Sequence, residues 1–289
     1  MVSLFPLRAF PQVSADSLFA RPAFVIDHVP EGTTDIEVDQ EGNVYLLQPD
    51  RHKLHKYFMD TGYDSVLTVG GKGIGREGFN FPTQISVPNR QSAFMLDYMN
   101  RRIVLLNTNL KVSSEINFLS VELGTLDEEV DFLWPISFAA GPTGELYVLN
   151  QEDIRIYKLI NDGEVERTFG GTDYGTGSLV DPWQLTINAQ NLVFAVDSTE
   201  QKVSIFDLFG TYQYSLQPRL KFRWKRLVTF GDNLLFLGEH KIFLYNLFSK
   251  RGQTVGFATK GRIVDAHAGR QYIYVLYEDR IHLYRLGVK

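Results

Sequence analysis

Glu41-Gly42-Asn43-Val44-Tyr45-Leu46-Leu47 joins a tight polar turn to an apolar four-residue strand core, and this phrase decides the fold. Gly and Asn supply the positive φ that a short hairpin turn needs, while Val, Tyr and Leu favour a buried pleated strand. The core recurs as Ala93-Phe94-Met95-Leu96, Leu146-Tyr147-Val148-Leu149, Leu192-Val193-Phe194-Ala195, Leu234-Leu235-Phe236-Leu237 and Ile273-Tyr274-Val275-Leu276. Successive cores lie roughly 39 to 53 residues apart, which is the length of one four-stranded propeller blade. Pro142-Thr143-Gly144-Glu145 and Gly231-Asp232-Asn233 repeat the turn chemistry ahead of the core.

Outward from each core runs a third apolar strand, such as Leu54 to Phe58, Ile103 to Leu106 or Ile281 to Leu286. Asp60-Thr61-Gly62, Asn161-Asp162-Gly163 and Phe209-Gly210 then turn the chain into a fourth. The sixth unit runs out of chain after its third strand, whereas Ala23 to Val29 forms a spare strand ahead of the first unit. Pairing the two closes the ring and leaves no open sheet edge between first and last blades. The expectation is an all-β fold, a six-bladed β-propeller over residues 23–289 behind an N-terminal arm of residues 1–22. Val13-Ser14-Ala15 resembles a processing site, but Arg8, Pro6 and Pro11 interrupt the apolar run; a mature arm is the expectation, and the compartment stays open between export and cytoplasm.

The chain has 289 residues, 44% hydrophobic and 22% charged, enough apolar surface for a large core. Absence of cysteine excludes disulfides, thiolate metal sites and Cys nucleophiles, and no apolar run reaches the ~18 residues of a membrane helix. The net charge of −5 hides a division. Residues 1–218 hold 15 Lys and Arg against 29 Asp and Glu, a net of −14, while residues 219–289 hold 14 against 5, a net of +9. In a closed ring these become adjacent sectors of a dipolar molecule, which suits a protein partner of matching polarity more than nucleic acid.

Gly71-Lys72-Gly73-Ile74-Gly75-Arg76-Glu77-Gly78-Phe79-Asn80-Phe81-Pro82, followed by Leu96-Asp97 and Asn100-Arg101-Arg102-Ile103, resembles the NHL-repeat signature. The match is specific in the second unit and weakens to Gly170-Gly171, Pro182 and Val196-Asp197 in the fourth. This resemblance implies a propeller, and metal-dependent lyases or lactonases are among its functional possibilities. Leu105 to Leu110 with Ile116 to Phe118, and the strands Lys241 to Tyr245 and Arg280 to Tyr284, are similar to exported Bacteroidetes propellers. Some of those belong to the outer-membrane type IX secretion translocon, including its periplasmic plug subunit. That resemblance implies a periplasmic scaffold.

Gly73 to Gly78 also matches the dinucleotide pattern G-x-G-x-x-G, but Pro82 follows where a helix would have to start, so an inter-blade loop is expected. Aligning the inner strands puts Asp35, Gln84, Ser137, Gln184 and Arg226 at one channel-facing position, a ring with one carboxylate. His267 is the one histidine expected on an inner strand, and a single imidazole makes a poor zinc site; the other five are expected on the surface or on outer strands. No metal and no cofactor are expected. Asp127, Glu128, Glu129 and Asp131 lack calcium-loop spacing and read as a solvated acidic face.

Arg219, Lys221, Arg223, Lys225 and Arg226 alternate with Leu220, Phe222 and Trp224, which predicts a strand with one basic and one apolar face. Lys221, Arg223, Trp224 and Arg226 are the expected basic contact patch; the row reads as charges that guard a blade edge, as a protein-docking surface or, with its interleaved aromatics, as a track for a nucleic-acid backbone. Trp134 and Trp183 are candidate aromatic platforms for a ligand or glycan, although each adjoins a proline at an inner-strand entrance, where inter-blade packing is the ordinary role. The functional expectation is a non-catalytic protein-binding scaffold. A channel-metal lyase or lactonase and an extracellular ligand-binding propeller remain as alternatives.

Overall fold

The computed structural model describes residues 21–119, 133–141, 144–160, 163–257 and 261–286. Among these residues the strands form six antiparallel sheets of four. Blade 1 contains β2 (Asp35–Val38), β3 (Val44–Gln48), β4 (Lys53–Tyr57) and β5 (Val66–Gly70). Blade 2 contains β6 (Pro82–Ser86), β7 (Ser92–Asp97), β8 (Arg102–Asn107) and β9 (Val112–Asn117). Blade 3 contains β10 (Pro135–Ala140), β11 (Leu146–Asn150), β12 (Arg155–Ile160) and β13 (Glu164–Gly170). Blade 4 contains β14 (Gln184–Ile187), β15 (Val193–Asp197), β16 (Lys202–Phe206) and β17 (Tyr212–Leu216). Blade 5 contains β18 (Trp224–Phe230), β19 (Asn233–Gly238), β20 (Lys241–Asn246) and β21 (Arg251–Gly256). Blade 6 contains β22 (Ile263–Ala268), β23 (Tyr272–Tyr277) and β24 (Ile281–Arg285), with β1 (Phe24–Ile26) as its outer strand.

The expected closure is present: β1 pairs antiparallel with β24 through Phe24↔Leu283, Val25↔His282 and Ile26↔Ile281. Its inward residue, Ile26, is 4% exposed and joins Ile36, Leu46, Tyr57, Leu276 and Leu283 in the core between blades 6 and 1. Similar clusters fill the other junctions, because each second strand is buried on both faces and wedges between neighbouring sheets. Helix among the described residues is confined to short 3-10 turns, and none of it is long and apolar enough to cross a membrane. Residues 1–20 of the arm, and the acidic stretch from Glu122 to Asp131, lie outside the described residues.

The antiparallel path gives the disc two distinct faces. Inner strands begin at the face carrying the outer-to-inner connections and the second-to-third strand turns, here called the entrance face. The NHL-like residues of blade 2 build part of that face. Buried Asp97 accepts hydrogen bonds from Asn80 N (2.6 Å), Asn100 Nδ2 (2.7 Å) and Arg102 Nε (2.9 Å). Arg102 in turn donates to the carbonyls of Gly75 (3.0 Å) and Gly78 (2.5 Å). The glycine-rich segment is therefore a latched loop, as the position of Pro82 predicts.

Candidate functional site

Each inner strand has a sheet partner on one side only; its other edge faces the channel with free N–H and C=O groups that need partners. The strand register places six residues at one equivalent level: Asp35, Gln84, Ser137, Gln184, Arg226 and Asp265 stand opposite Leu47, Leu96, Leu149, Val196, Leu237 and Leu276. In blades 2, 3, 5 and 6 a register shift immediately precedes the ring residue, an irregularity that re-aims side chains. Alignment of the inner strands in sequence predicts one carboxylate in this ring. There are two, since Asp265 occupies the sixth position.

A single rule governs most of the ring: the side chain of one blade accepts the backbone N–H of the residue after the ring position in the next blade. Asp35 takes Ile85 N at 2.8 Å, Gln84 takes Phe138 N at 3.0 Å and Ser137 takes Leu185 N at 2.9 Å. Gln184 takes Leu227 N at 3.0 Å, and Asp265 closes the circle on Ile36 N at 3.3 Å. Both glutamines also donate to the facing carbonyl, Gln84 to Phe138 O (2.7 Å) and Gln184 to Leu227 O (2.9 Å).

Blade 5 breaks the rule because an arginine cannot accept. Arg226 reaches across blade 6 instead, donating to Asp35 Oδ1 (2.9 Å) and Thr34 O (2.8 Å) and pairing with Asp265 Oδ2 at 3.1 Å. Burial works against the Arg226 cation, but Asp265 and then Asp35 more than offset it and its pKa lies above the ordinary arginine value. Burial pushes the Asp265 carboxyl well above the usual aspartate value; Arg226 opposes the shift, while the charge of Asp35 and a hydrogen bond to it reinforce it.

Below the ring the channel holds a cavity of about 220 Å³. His267 lies there with Nδ1 3.3 Å from Glu37 Oε2. Among the described residues no three His, Cys, Asp or Glu side chains converge as a metal-ligand set. Above the ring, on the entrance face, opens a vestibule of about 710 Å³ whose lining includes Thr34, Thr83, Trp183, Lys225 and Arg226. Arg226 is shared by both spaces and divides them. Thr83 Oγ1, Trp183 Nε1 and Arg226 Nε are buried without a hydrogen-bond partner, and all three belong to residues of the vestibule wall. The Arg226 guanidinium lies 5.7 Å from the Trp183 ring centroid, within cation–π range. Trp134, the other candidate platform, has the Arg101 guanidinium 3.7 Å from its ring centroid and Tyr98 at 6.1 Å.

The four residues of the expected basic patch do not share one surface. Trp224 is 1% exposed, its ring edge-on to Phe236 at 4.9 Å, and Arg226 lies in the channel. Lys221 and Arg223 remain exposed on the entrance face. The expected strand over this segment begins only at Trp224, although side chains alternate outward and inward from Arg219 onward. Regular pairing stops there because β19 ends at Gly238 opposite Trp224, leaving the preceding residues no strand to pair with. Two histidines also differ from expectation. His55 on β4 is buried between Thr68 Oγ1 (2.9 Å) and Gln48 Oε1 (3.3 Å), and His282 on β24 is buried beside Tyr284. Burial, followed by the nearby cations Lys53 and Arg280 respectively, lowers the pKa of each ring.

No family model matches the chain, and no curated protein matches it in sequence. Solved structures do share its fold. Virginiamycin B lyase from Staphylococcus aureus superposes with a TM-score of 0.61 at 14% identity, covering 91% of this chain and 99% of that one. A streptogramin B lyase gives 0.62 at 12% identity over 95% and 100% of the two chains. A chain of the mitotic checkpoint complex gives 0.58 at 10% identity over 99% and 98%. At such identities the likeness establishes the propeller, which enzymes and components of assemblies both use.

Proposed function

We propose that this propeller is a non-catalytic binding module that presents its entrance face to a partner protein, as a scaffold within an exported envelope or secretion assembly. The observation that carries the reading is the commitment of the channel's polar groups to structure. Five ring side chains tie one blade to the next, and the sixth, Arg226, lies between two carboxylates. General acid–base chemistry needs a group free to exchange its proton with a substrate. On the entrance face Lys225 and Arg262 pair with Glu239 and Glu278, but Arg219 and Lys221 have no carboxylate within 4.0 Å among the described residues. Export and the translocon setting rest on the sequence resemblance of the Leu105 to Phe118 and Lys241 to Tyr245 segments.

The test is capture of partners from a low-salt extract of the native source, followed by cross-link mapping. Cross-links concentrated on the second-to-third strand turns and the outer-to-inner connections support the reading; cross-links spread over both faces overturn it.

A second reading is favoured by the three partnerless polar atoms around the vestibule, since native interiors leave few such groups and three in one wall point to a bound acceptor. That reading is a small-molecule site of the kind a lyase would use. Thermal-shift screening of the wild type against Trp183→Leu separates the two, because only a vestibule ligand stabilises the first and not the second.

A further inference from the structure

We infer that the cleft beside Pro218 to Arg223, at the junction of blades 4 and 5, binds an acidic extended peptide segment of the partner. This rests on the protein-binding reading above and names the chemistry of what is bound. The cleft measures about 610 Å³ and is lined by Gln201, Gln217, Arg219, Lys221 and Arg223 together with Pro218, Leu220 and Phe222; no carboxylate contributes to its wall.

Exposed or half-exposed cations of this protein fall into two groups. Arg90, Arg155, Lys225, Arg262 and Arg280 pair with Glu41, Asp173, Glu239, Glu278 and Asp279, whereas others, such as Arg51, Lys72 and Lys241, have no carboxylate within 4.0 Å among the described residues. Arg219 and Lys221 belong to the second group and line one cleft side by side. Among the described residues, no carboxylate stands within 4.0 Å of Arg219 or Lys221, and Arg223 donates only to Ser198 O at 3.2 Å. Two adjoining cations with no acidic neighbour, in the sector whose formal charge is +9, form a site of one sign.

The cleft is also braced from beneath. Gln201 donates to Trp224 O (2.9 Å) and accepts from Trp224 N (3.1 Å), and Gln217 donates to Glu200 O (3.0 Å). Phe222 lies so close to Gly238 that a Cβ there would come within 2.4 Å of its ring. Residues 219–223 thus alternate basic outward and apolar inward, tied to the preceding residue by a backbone hydrogen bond from Leu220 N to Pro218 O. An extended acidic chain laid along it meets successive cations without displacing an existing ion pair. A single-stranded nucleic acid fits less well, since base stacking needs free aromatic faces and here Phe222 and Trp224 are packed inward.

The experiment is fluorescence anisotropy of the full chain with a labelled octapeptide of alternating Glu and Ser, a Lys-Ser octapeptide and an oligothymidylate of equal length. Binding of the acidic peptide at about 50 mM salt should weaken at least tenfold at about 500 mM, as screening shortens the reach of surface charges. Arg219→Glu with Lys221→Glu should weaken it about tenfold, two lost exposed contacts at a few-fold each, with an unchanged melting temperature. Arg219→Gln with Lys221→Gln should give a smaller loss in the same direction. Absent binding at low salt, equal affinity in the double variant, or an oligothymidylate bound as tightly as the acidic peptide each overturns the assignment. If cross-linking still places a partner on the entrance face of the Glu variant, the general reading survives and the cleft alone fails.

Discussion

Replacing Arg226 by Met removes the cation between Asp35 and Asp265 while keeping a flexible apolar stem in the channel. The guanidinium makes three close contacts, at 2.9 Å to Asp35, 3.1 Å to Asp265 and 2.8 Å to Thr34 O. Without it the two buried carboxyls face each other uncompensated, and the pair must take up a further proton to remain inside. At pH 7, protonating a carboxyl of ordinary pKa near 3.9 costs about 1.4 kcal/mol per pH unit over about three units, or ~4 kcal/mol. This agrees with the ~3–5 kcal/mol typical of breaking a buried ion pair from one side. A chain of this length has an unfolding entropy of about 0.6 kcal/mol/K, so the melting temperature should fall by ~5–8 °C. The sign with pH is fixed. A carboxyl whose folded pKa is raised binds its proton more tightly when native, so the deficit should grow as pH rises through that folded pKa and shrink toward pH 4. The neutral triple variant Asp35→Asn, Arg226→Met, Asp265→Asn should recover most of the loss. Thermal melts from pH 4.5 to 8 decide it. A deficit under about 1 kcal/mol at pH 7, or one that does not narrow on acidification, refutes the reasoning.

Trp224→Ala should cost about 3–5 kcal/mol in denaturant unfolding, since the ring is fully buried against Phe236; Lys221→Glu on the same segment should stay within about 0.5 kcal/mol. His55, held below the ordinary histidine pKa by burial and then by Lys53, binds fewer protons folded than unfolded. Stability should therefore fall as pH drops through about 6.5, by up to ~1.4 kcal/mol per unit, and His55→Gln should flatten that slope in urea titrations at several pH values.

Local chemistry made the blades readable: an apolar strand core recurs in all six units, turn residues precede it in several, and a spare strand before the first matches a missing strand in the last. The ring was largely readable. Alternation from each core locates Asp35, Gln84, Ser137, Gln184 and Arg226; only Asp265 escapes it, although the register shift between Ile263 and Asp265 is of the kind that also precedes Gln84, Ser137 and Arg226. The Arg226–Asp35 contact joins residues 191 positions apart, brought together only by closure of the ring. Segment 219–226 shows the other limit. Period two correctly separates outward from inward side chains, yet one continuous basic row ends up divided between solvent and channel, because the chain enters the sheet at Trp224. Likewise the −14 and +9 sectors count charges without saying which are already paired.

Ring closure has an inner and an outer component, and their dependence on each other can be measured. On the inside, Asp265 accepts Ile36 N–H at 3.3 Å, and Arg226 bridges from blade 5 over blade 6 to Asp35 in blade 1. On the outside, β1 completes blade 6 and places Ile26 in the core shared with blade 1, in the same cluster as Ile36. Ile36 thus takes part in both components, through its amide within and its side chain toward Ile26. Ile26→Ala alone should cost about 2–4 kcal/mol. In Arg226→Met, an Asp265 carboxyl that turns toward water releases the Ile36 amide and loosens the packing around Ile26. Truncating Ile26 in that background then removes contacts already weakened, so the double variant should be more stable than the sum of the single losses predicts, by about 1 kcal/mol. Were the two losses to add within about 0.5 kcal/mol, the inner ion pair and the outer strand would be independent fastenings. Coupling of the expected sign makes the junction of blades 6 and 1 one cooperative seam, and explains why the arginine that breaks the ring's hydrogen-bonding rule stands where it can span the blade built from both chain ends.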